Sequence, residues 1–297
     1  MIKANLEKLV ETAVAGQICH PYVPHYPDLK LGHDGSAFVP VGFSGINYTV
    51  KVGDPAFDWA SGDHVEPGVA IQNSDARANT GLNTYACVGD EATIVEARFE
   101  GKDVKLKGTT GVVTGKHGGG ERVLVWFPKR VLDRLCIGDL IQIRASGVGF
   151  RLADYPGIAV ANLSPRLFRA LNPSEKGGKL RVPVAKIVLG KLVGGGVGMM
   201  PNPQCGDFDI QSTSPEAVRE YSLDALRLGD IVAVTDCDAT YGVRWHQNAI
   251  TIGVISHGSS RRSGHGPGVN VLFTSPQGLL EPIITRKANL AELLGLS

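Results

Sequence analysis

The chain has 297 residues, 43% of them hydrophobic and 20% charged, and 30 Lys and Arg against 29 Asp and Glu leave a formal net charge of +1. This is an ordinary globular composition, and its near-neutral balance argues against a dedicated nucleic-acid surface, which needs a cationic excess to displace phosphate counterions. No stretch approaches the roughly 18 apolar residues of a membrane span. Glu7 and Glu11 break the apolar centre a signal peptide needs, and five scattered cysteines without a Cys-x-x-Cys pair point to a reducing, cytoplasmic setting.

In chain order, Ile2, Leu6, Leu9, Val10, Ala13 and Val14 recur at helical spacing, which predicts an N-terminal helix ending before Pro21. From there the pattern is mostly β. "GINYTVKVG", "EATIVEARF", "TGVVTGK", "RVLVWFP", "DLIQIRA", "RVPVAKIVLG", "DIVAVTD", "AITIGVISH" and "GVNVLFTS" are β-branched-rich runs bounded by Gly, Pro or Asp. A short helix is expected at Pro165–Leu171, within a Pro-rich stretch that marks a boundary between domains at 1–160 and 161–297. A last helix is expected in "ANLAELLGL", with Asn289 as cap, Glu292 three residues on and Gly295 closing it. No regular βαβ alternation is present, so a doubly wound sheet is disfavoured. The fold class expected is mainly β (α+β): two β-barrel-like halves of mixed, mostly antiparallel strands, with peripheral N- and C-terminal helices.

An internal echo supports two halves. "VLDRLCIGDLIQI" at 131–143 aligns without a gap to "SLDALRLGDIVAV" at 222–234. Both deliver the chain into a strand through a Gly-Asp turn, in which Asp bonds its own backbone and Gly takes the difficult φ. The same match arises without ancestry if Leu-x-Gly-Asp is simply a good turn. Glycine is abundant, 38 residues against a usual level of about 7%, and so many predict tight turns and close backbone approaches.

Candidate chemistry gathers where His and Asp meet Gly turns. His265 stands in "GHGPGV", a stiff turn that presents an imidazole as base or ligand. His257 ends an apolar strand eight residues earlier, with Arg261 and Arg262 between them to hold a carboxylate or phosphate. His117 ends a strand before Gly118 and Gly119, whose amides can form an anion nest. Its His-Gly-Gly-Gly run is not a lipase oxyanion loop, because no Gly-x-Ser-x-Gly elbow exists. Asp207 and Asp209, and likewise Asp236 and Asp238, are spaced to share one face of a strand and bind a hard cation. Asp63, His64 and Glu66 crowd together, so one or two of them are expected to reach a metal. His20, His25, His33 and Asp34 are weaker candidates in a Pro-rich loop. "LGKLVGGGVGMM" lacks the ending of a P-loop and reads as a tight Gly bend.

With "DHVEPGV", "GKHGG", "GDFDIQ", "LRLGDIVAV" and "GHGPGV" in hand, the chain resembles a prokaryotic domain-of-unknown-function family over roughly residues 35–275. That family implies no established activity. A fainter, fold-level likeness to acetamidase/formamidase-type hydrolases implies a β-rich enzyme acting on amides. The expected function is a metal-dependent hydrolase of an amide-type C–N bond in a small polar metabolite, using one divalent ion. Catalysis is assigned to His265, His117 and Asp236, metal binding to His257, His64, Asp238, Asp207 and Asp209, and substrate binding to Arg261, Arg262, Gly118 and Gly119. Self-association is expected, and a membrane or nucleic-acid partner is not. The alternatives are an RNA-associated SH3-like barrel using Lys105, Lys107, Lys116, Arg122, Lys129 and Arg130, or an oligomeric structural protein.

Overall fold

The computed structural model describes residues 2–21, 30–98, 106–118, 121–198 and 203–296. In the first part lie β1 (Thr12–Ile18), β2 (Lys30–Leu31), β3 (Ala37–Phe38), β4 (Ile46–Asn47), β5 (Gly68–Gln72), α1 (Ala76–Tyr85), β6 (Glu91–Glu96), β7 (Thr110–His117), β8 (Arg122–Trp126), α2 (Lys129–Leu132) and β9 (Leu140–Ala145). The second part holds β10 (Ala159–Val160), α3 (Pro165–Leu171), β11 (Ser174–Lys176), β12 (Lys179–Val184), β13 (Lys186–Leu189), β14 (Phe208–Asp209), α4 (Pro215–Glu220), β15 (Ile231–Asp238), β16 (Arg244–His257), β17 (Gly268–Ser275), β18 (Leu280–Ile284) and α5 (Leu290–Leu294).

Six antiparallel strands close into a barrel in the order β1-β9-β6-β7-β8-β5, and β1 pairs back onto β5 to shut it. Closure removes the sheet edges. Ile18, Val69, Ile71, Ile94, Val113, Val123, Val125, Ile141 and Ile143 belong to one of the buried clusters and are at most 1% exposed. The second part is built on an open mixed sheet, β10-β17-β16-β15-β13, with β14 added to β17 and a small sheet β11-β12-β18 beside it. β7 of the barrel is fastened to β17. Asn270 accepts from the Lys116 amide at 2.7 Å and donates to the Lys116 carbonyl at 2.9 Å, with no part of its side chain in water.

The mainly β class therefore stands, but the N-terminal helix is overturned. Residues Leu6–Lys8 form a single 3₁₀ turn, and Thr12–Ile18 form β1, paired over six residues with β9. The helical spacing of six apolar residues lost to ladder hydrogen bonds that a helix could not make. Gly16 was the contrary signal, since a Cβ there would meet Leu82 at 2.7 Å. The run "GINYTVKVG" keeps only Ile46–Asn47 as strand, and α1, capped by Asp75, has no counterpart in the expectations. α3 spans the expected residues. α5 starts at the Asn289 cap and stops at Gly295 with φ +66°, but Glu292 reaches out to Arg227 at 3.4 Å instead of closing a capping box.

The Gly-Asp echo resolves into a repeated physical device. At Lys51–Asp54, Cys87–Asp90, Cys136–Asp139 and Arg227–Asp230, the Asp carboxylate accepts the amide three residues earlier at 2.7–2.9 Å. The intervening Gly has φ between +84° and +97°. Asp90 is buried away from any candidate site, and burial pushes its carboxyl up to about 7. A raised carboxyl holds its proton more tightly folded than unfolded. Its contribution to stability is therefore full at low pH and is lost as pH rises through about 7. Asp90→Asn is expected to flatten the pH dependence of the unfolding free energy between about pH 4 and 7, by at most about 1.4 kcal/mol per pH unit. Urea melts across that range check it, and identical slopes for the two proteins would refute it.

Candidate metal centre

Four imidazoles and two carboxylates converge at the seam between the barrel and the second sheet. His64 lies in the loop leading into β5, and His117 ends β7. Asp207 and Asp209 sit at β14, His257 ends β16, and His265 lies in the loop entering β17. Among the described residues two groups have the separations a metal ion needs: His117, Asp207 and His257, and His64, Asp209 and His265. All are buried except His265, which is half-buried. The rings stand close: His117 to His257 4.1 Å, His64 to His257 4.9 Å and His64 to His265 5.5 Å between centroids. Phe43 stacks on His117 at 4.3 Å and closes one side.

Each ring is held by its Nδ1. His257 Nδ1 donates to the Gly258 carbonyl at 3.0 Å, and His265 Nδ1 to the Ser263 carbonyl at 2.9 Å. His64 Nδ1 is 2.9 Å from Asp63 Oδ2, and His117 Nδ1 is 2.5 Å from Glu66 Oε1. A nitrogen facing a carbonyl can only donate, which leaves Nε2 with its lone pair free as a ligand. This carboxylate- or carbonyl-anchored imidazole is the usual support of a metal-binding histidine. His257 Nε2 is 2.8 Å from Asp207 Oδ2, yet it is buried without an aligned hydrogen-bond partner. The surrounding backbone leaves room for that geometry only at glycine: a Cβ on Gly268 would lie 2.1 Å from His257 Nε2 and 2.4 Å from Asp207 Oδ2.

The electrostatics divide the buried imidazoles: burial keeps two of them neutral, and a carboxylate favours the charged form of the third. Burial lowers His64 to about 3 and holds His117 well below the usual histidine range, so both are neutral ligands at pH 7. Burial would lower His257 too, but the Asp207 carboxylate overrides it and lifts the ring to about 9. Burial pushes Asp209 up to about 7, with the Asp207 charge adding to it, and Glu66 up to about 8. A cation beside them would oppose both shifts, because it favours the charged carboxylate.

Asp63, expected among the possible ligands, is a support. Its buried carboxylate takes Lys30 at 3.1 Å, the Ser260 hydroxyl at 2.7 Å, the Arg261 amide at 3.0 Å and His64. Glu66 likewise accepts the Ser44 amide at 2.9 Å. His64 itself is held at φ +53°, a left-handed conformation that a side chain adopts only under constraint.

Asp236 and Asp238 do not join this cluster and belong to neither ligand group, contrary to expectation. Asp236 lies in the irregularity between Thr235 and Cys237 and Asp238 just after it, and both carboxylates are satisfied locally. Asp236 accepts the Asn248 amide at 2.7 Å, and Asp238 accepts from Thr240 and Arg244. Spacing alone could not tell this Asp-x-Asp from the one at 207–209. Gly118 donates its amide to Asp207 Oδ1 at 2.8 Å, so it steadies a candidate ligand. Gly119 and His25 lie outside the described residues. His20, His33 and Asp34 are exposed and outside both groups. The Arg261 guanidinium is engaged with Ser36 at 2.7 Å and the Phe38 ring, while Arg262 is exposed beside the cluster. Of the six basic residues offered for RNA, Lys116 is fully buried, Arg122 is 7% exposed, and Lys105 lies outside the described residues, so no common basic face includes them.

Sequence reasoning missed Lys30 and Ser260, and it read Gly195 and Gly268 only as turn glycines. Their partners are distant in sequence, and only the short-range clustering of Asp63 and Glu66 around His64 hinted at the supporting layer.

Residues 29–169 match the model of a family described as a domain of unknown function (DUF4438), N-terminal, and residues 170–294 match its C-terminal counterpart. A solved structure described as the crystal structure of TM1086 is 37% identical, covers 98% of this chain and 98% of its own, and superposes with a TM-score of 0.89. No curated protein matches. Among the described residues no helix is long and apolar enough to cross a membrane, and none of the cysteines is in a disulfide.

Proposed function

The chain belongs to the DUF4438 family, whose N-terminal and C-terminal domains it carries in succession, and we propose that it is a divalent-metal-dependent hydrolase. The observation that carries this reading is the buried His117–Asp207–His257 group, with His257 Nε2 lacking an aligned hydrogen-bond partner. Two imidazoles and a carboxylate, with further positions open to water, suit a Lewis-acid hydrolytic site. A divalent cation held by these residues would polarise a carbonyl and lower the pKa of bound water to about 7.

The acetamidase/formamidase likeness of the sequence supplies the bond class, an amide-type C–N bond in a small polar metabolite. Water adds to the carbonyl carbon, the C–N bond breaks, and the products are a carboxylate and an ammonium ion. His265, the half-buried imidazole, stands where substrate reaches the cluster, and Arg262 is the cation free to meet an anionic group on it. Asp63 and Glu66 hold two rings in place and take no part in bond making.

Full-length protein purified without chelator is expected to carry at least one divalent cation per chain by mass spectrometry. Hydrolysis of small amides should fall by about 100-fold or more on chelation or in His257→Ala. Metal-free protein indifferent to chelators would overturn the proposal. So would bound iron with dioxygen consumption, since two His and one carboxylate also serve iron oxygenases.

A further inference from the structure

We infer that both ligand groups fill together, as a centre of two divalent cations with the Asp209 carboxylate between them. This rests on the metal reading above and goes past it, because a single ion would use only His117, Asp207 and His257. Asp209 is the joining residue. Its Oδ1 lies 3.6 Å from His257 Nε2, in the first group, and its Oδ2 lies 4.0 Å from His64 Nε2, in the second. One carboxylate thus offers an oxygen to each group.

The backbone explains why. Asp207 and Asp209 are two residues apart in extended chain and face the same way. Asp207 is committed to the first group by the Gly118 amide on its Oδ1 and by His257 beside its Oδ2. Asp209 is left to span. Nothing separates the two groups: the His64 ring is 4.9 Å from His257 and 5.4 Å from His117. Two-metal hydrolytic centres hold their ions about 3.5–4 Å apart, a gap that one carboxylate bridges.

The second group is built with as much constraint as the first. His64 takes its left-handed backbone and is fixed by an Asp63 that is itself saturated with donors. Gly195 leaves space for Asp209, since a Cβ there would lie 2.4 Å from Oδ2. Gly194 allows the chain to pass the Gly264 carbonyl, which a Cβ would meet at 2.1 Å. A site for one ion gives His64 and this glycine turn no task. Both groups present two imidazoles and a carboxylate, the donor set of borderline divalent cations such as zinc, manganese or cobalt.

The test is a manganese titration of chelator-stripped full-length protein, read by equilibrium dialysis and by electron paramagnetic resonance. Two ions per chain with an exchange-coupled spectrum are expected. His64→Ala combined with His265→Ala should reduce two ions to one and restore an uncoupled signal. Asp209→Asn should weaken retention of both by about tenfold or more. One ion per chain in the native protein, unaffected by His64→Ala, would overturn the second site and leave the hydrolase proposal intact. No bound ion at all would overturn both. The coupling measurement needs only the native chain, so a variant that fails to fold does not spoil the test.

Discussion

Gly268→Ala is expected to abolish the proposed cation binding at the centre while the chain stays folded. Gly268 lies between the two strands that carry ligands, opposite His257 on β16 and opposite Asp209 on β14. An added methyl would sit 2.1 Å from His257 Nε2, 2.5 Å from His257 Cδ2 and 2.4 Å from Asp207 Oδ2. No carbon tolerates such distances, so the imidazole and the carboxylate must part. The φ of Gly268 is not in the left-handed region, so space is the only demand for glycine there. Overpacking costs about 1–3 kcal/mol, which a chain of this size survives. Metal affinity should fall by about 100-fold or more, and activity with it. Gly81→Ala on α1 is the control. Its methyl meets nothing nearer than Tyr85 at 4.0 Å, and helix propensity should raise stability by up to about 1 kcal/mol. Metal content and melting temperature read both variants. Full metal occupancy in Gly268→Ala would mean that His257 and Asp207 do not hold the ion.

Asp63→Ala carries the largest expected loss of stability. The carboxylate is wholly buried and gathers Lys30, His64, Ser260 and the Arg261 amide around one charge. Its removal leaves the Lys30 ammonium, 8% exposed, without its counter-charge. Breaking a buried pair from one side costs about 3–5 kcal/mol, because the remaining ion keeps its desolvation penalty. The melting temperature should drop on the order of 10 °C. Adding Lys30→Met should recover much of the loss, since the stranded charge is its cause. If the double variant is no more stable than Asp63→Ala, the loss comes from Ser260 and the Arg261 turn instead.

Much of the fold could be read from local chemistry. β-branched runs bounded by Gly and Asp predicted most strands, because alternating burial on a pleated surface selects those residues locally. The extent of α3 and the Asn289 cap and Gly295 end of α5 were legible for the same reason, as were the turns at Gly138–Asp139 and Gly229–Asp230. The N-terminal segment was not. Its apolar spacing satisfied a helix, and β1 exists only because β9 and β5 arrive on either side of it. The candidate site divides similarly. His64, His117, His257, His265, Asp207 and Asp209 were recognisable by type and by the glycine turns near them. Asp236 and Asp238 had the same signature but lie at the end of β15, closed on Thr240, Arg244 and Asn248.

The sequence by itself determined the residue types, the β-rich class and the turns, all set by interactions between neighbours in the chain. The tertiary structure decided which carboxylates face which imidazoles. It also decided that Lys30 meets Asp63 and that Gly268 lies against His257. Those contacts join residues far apart in sequence, and their energies depend on burial, which no local pattern specifies.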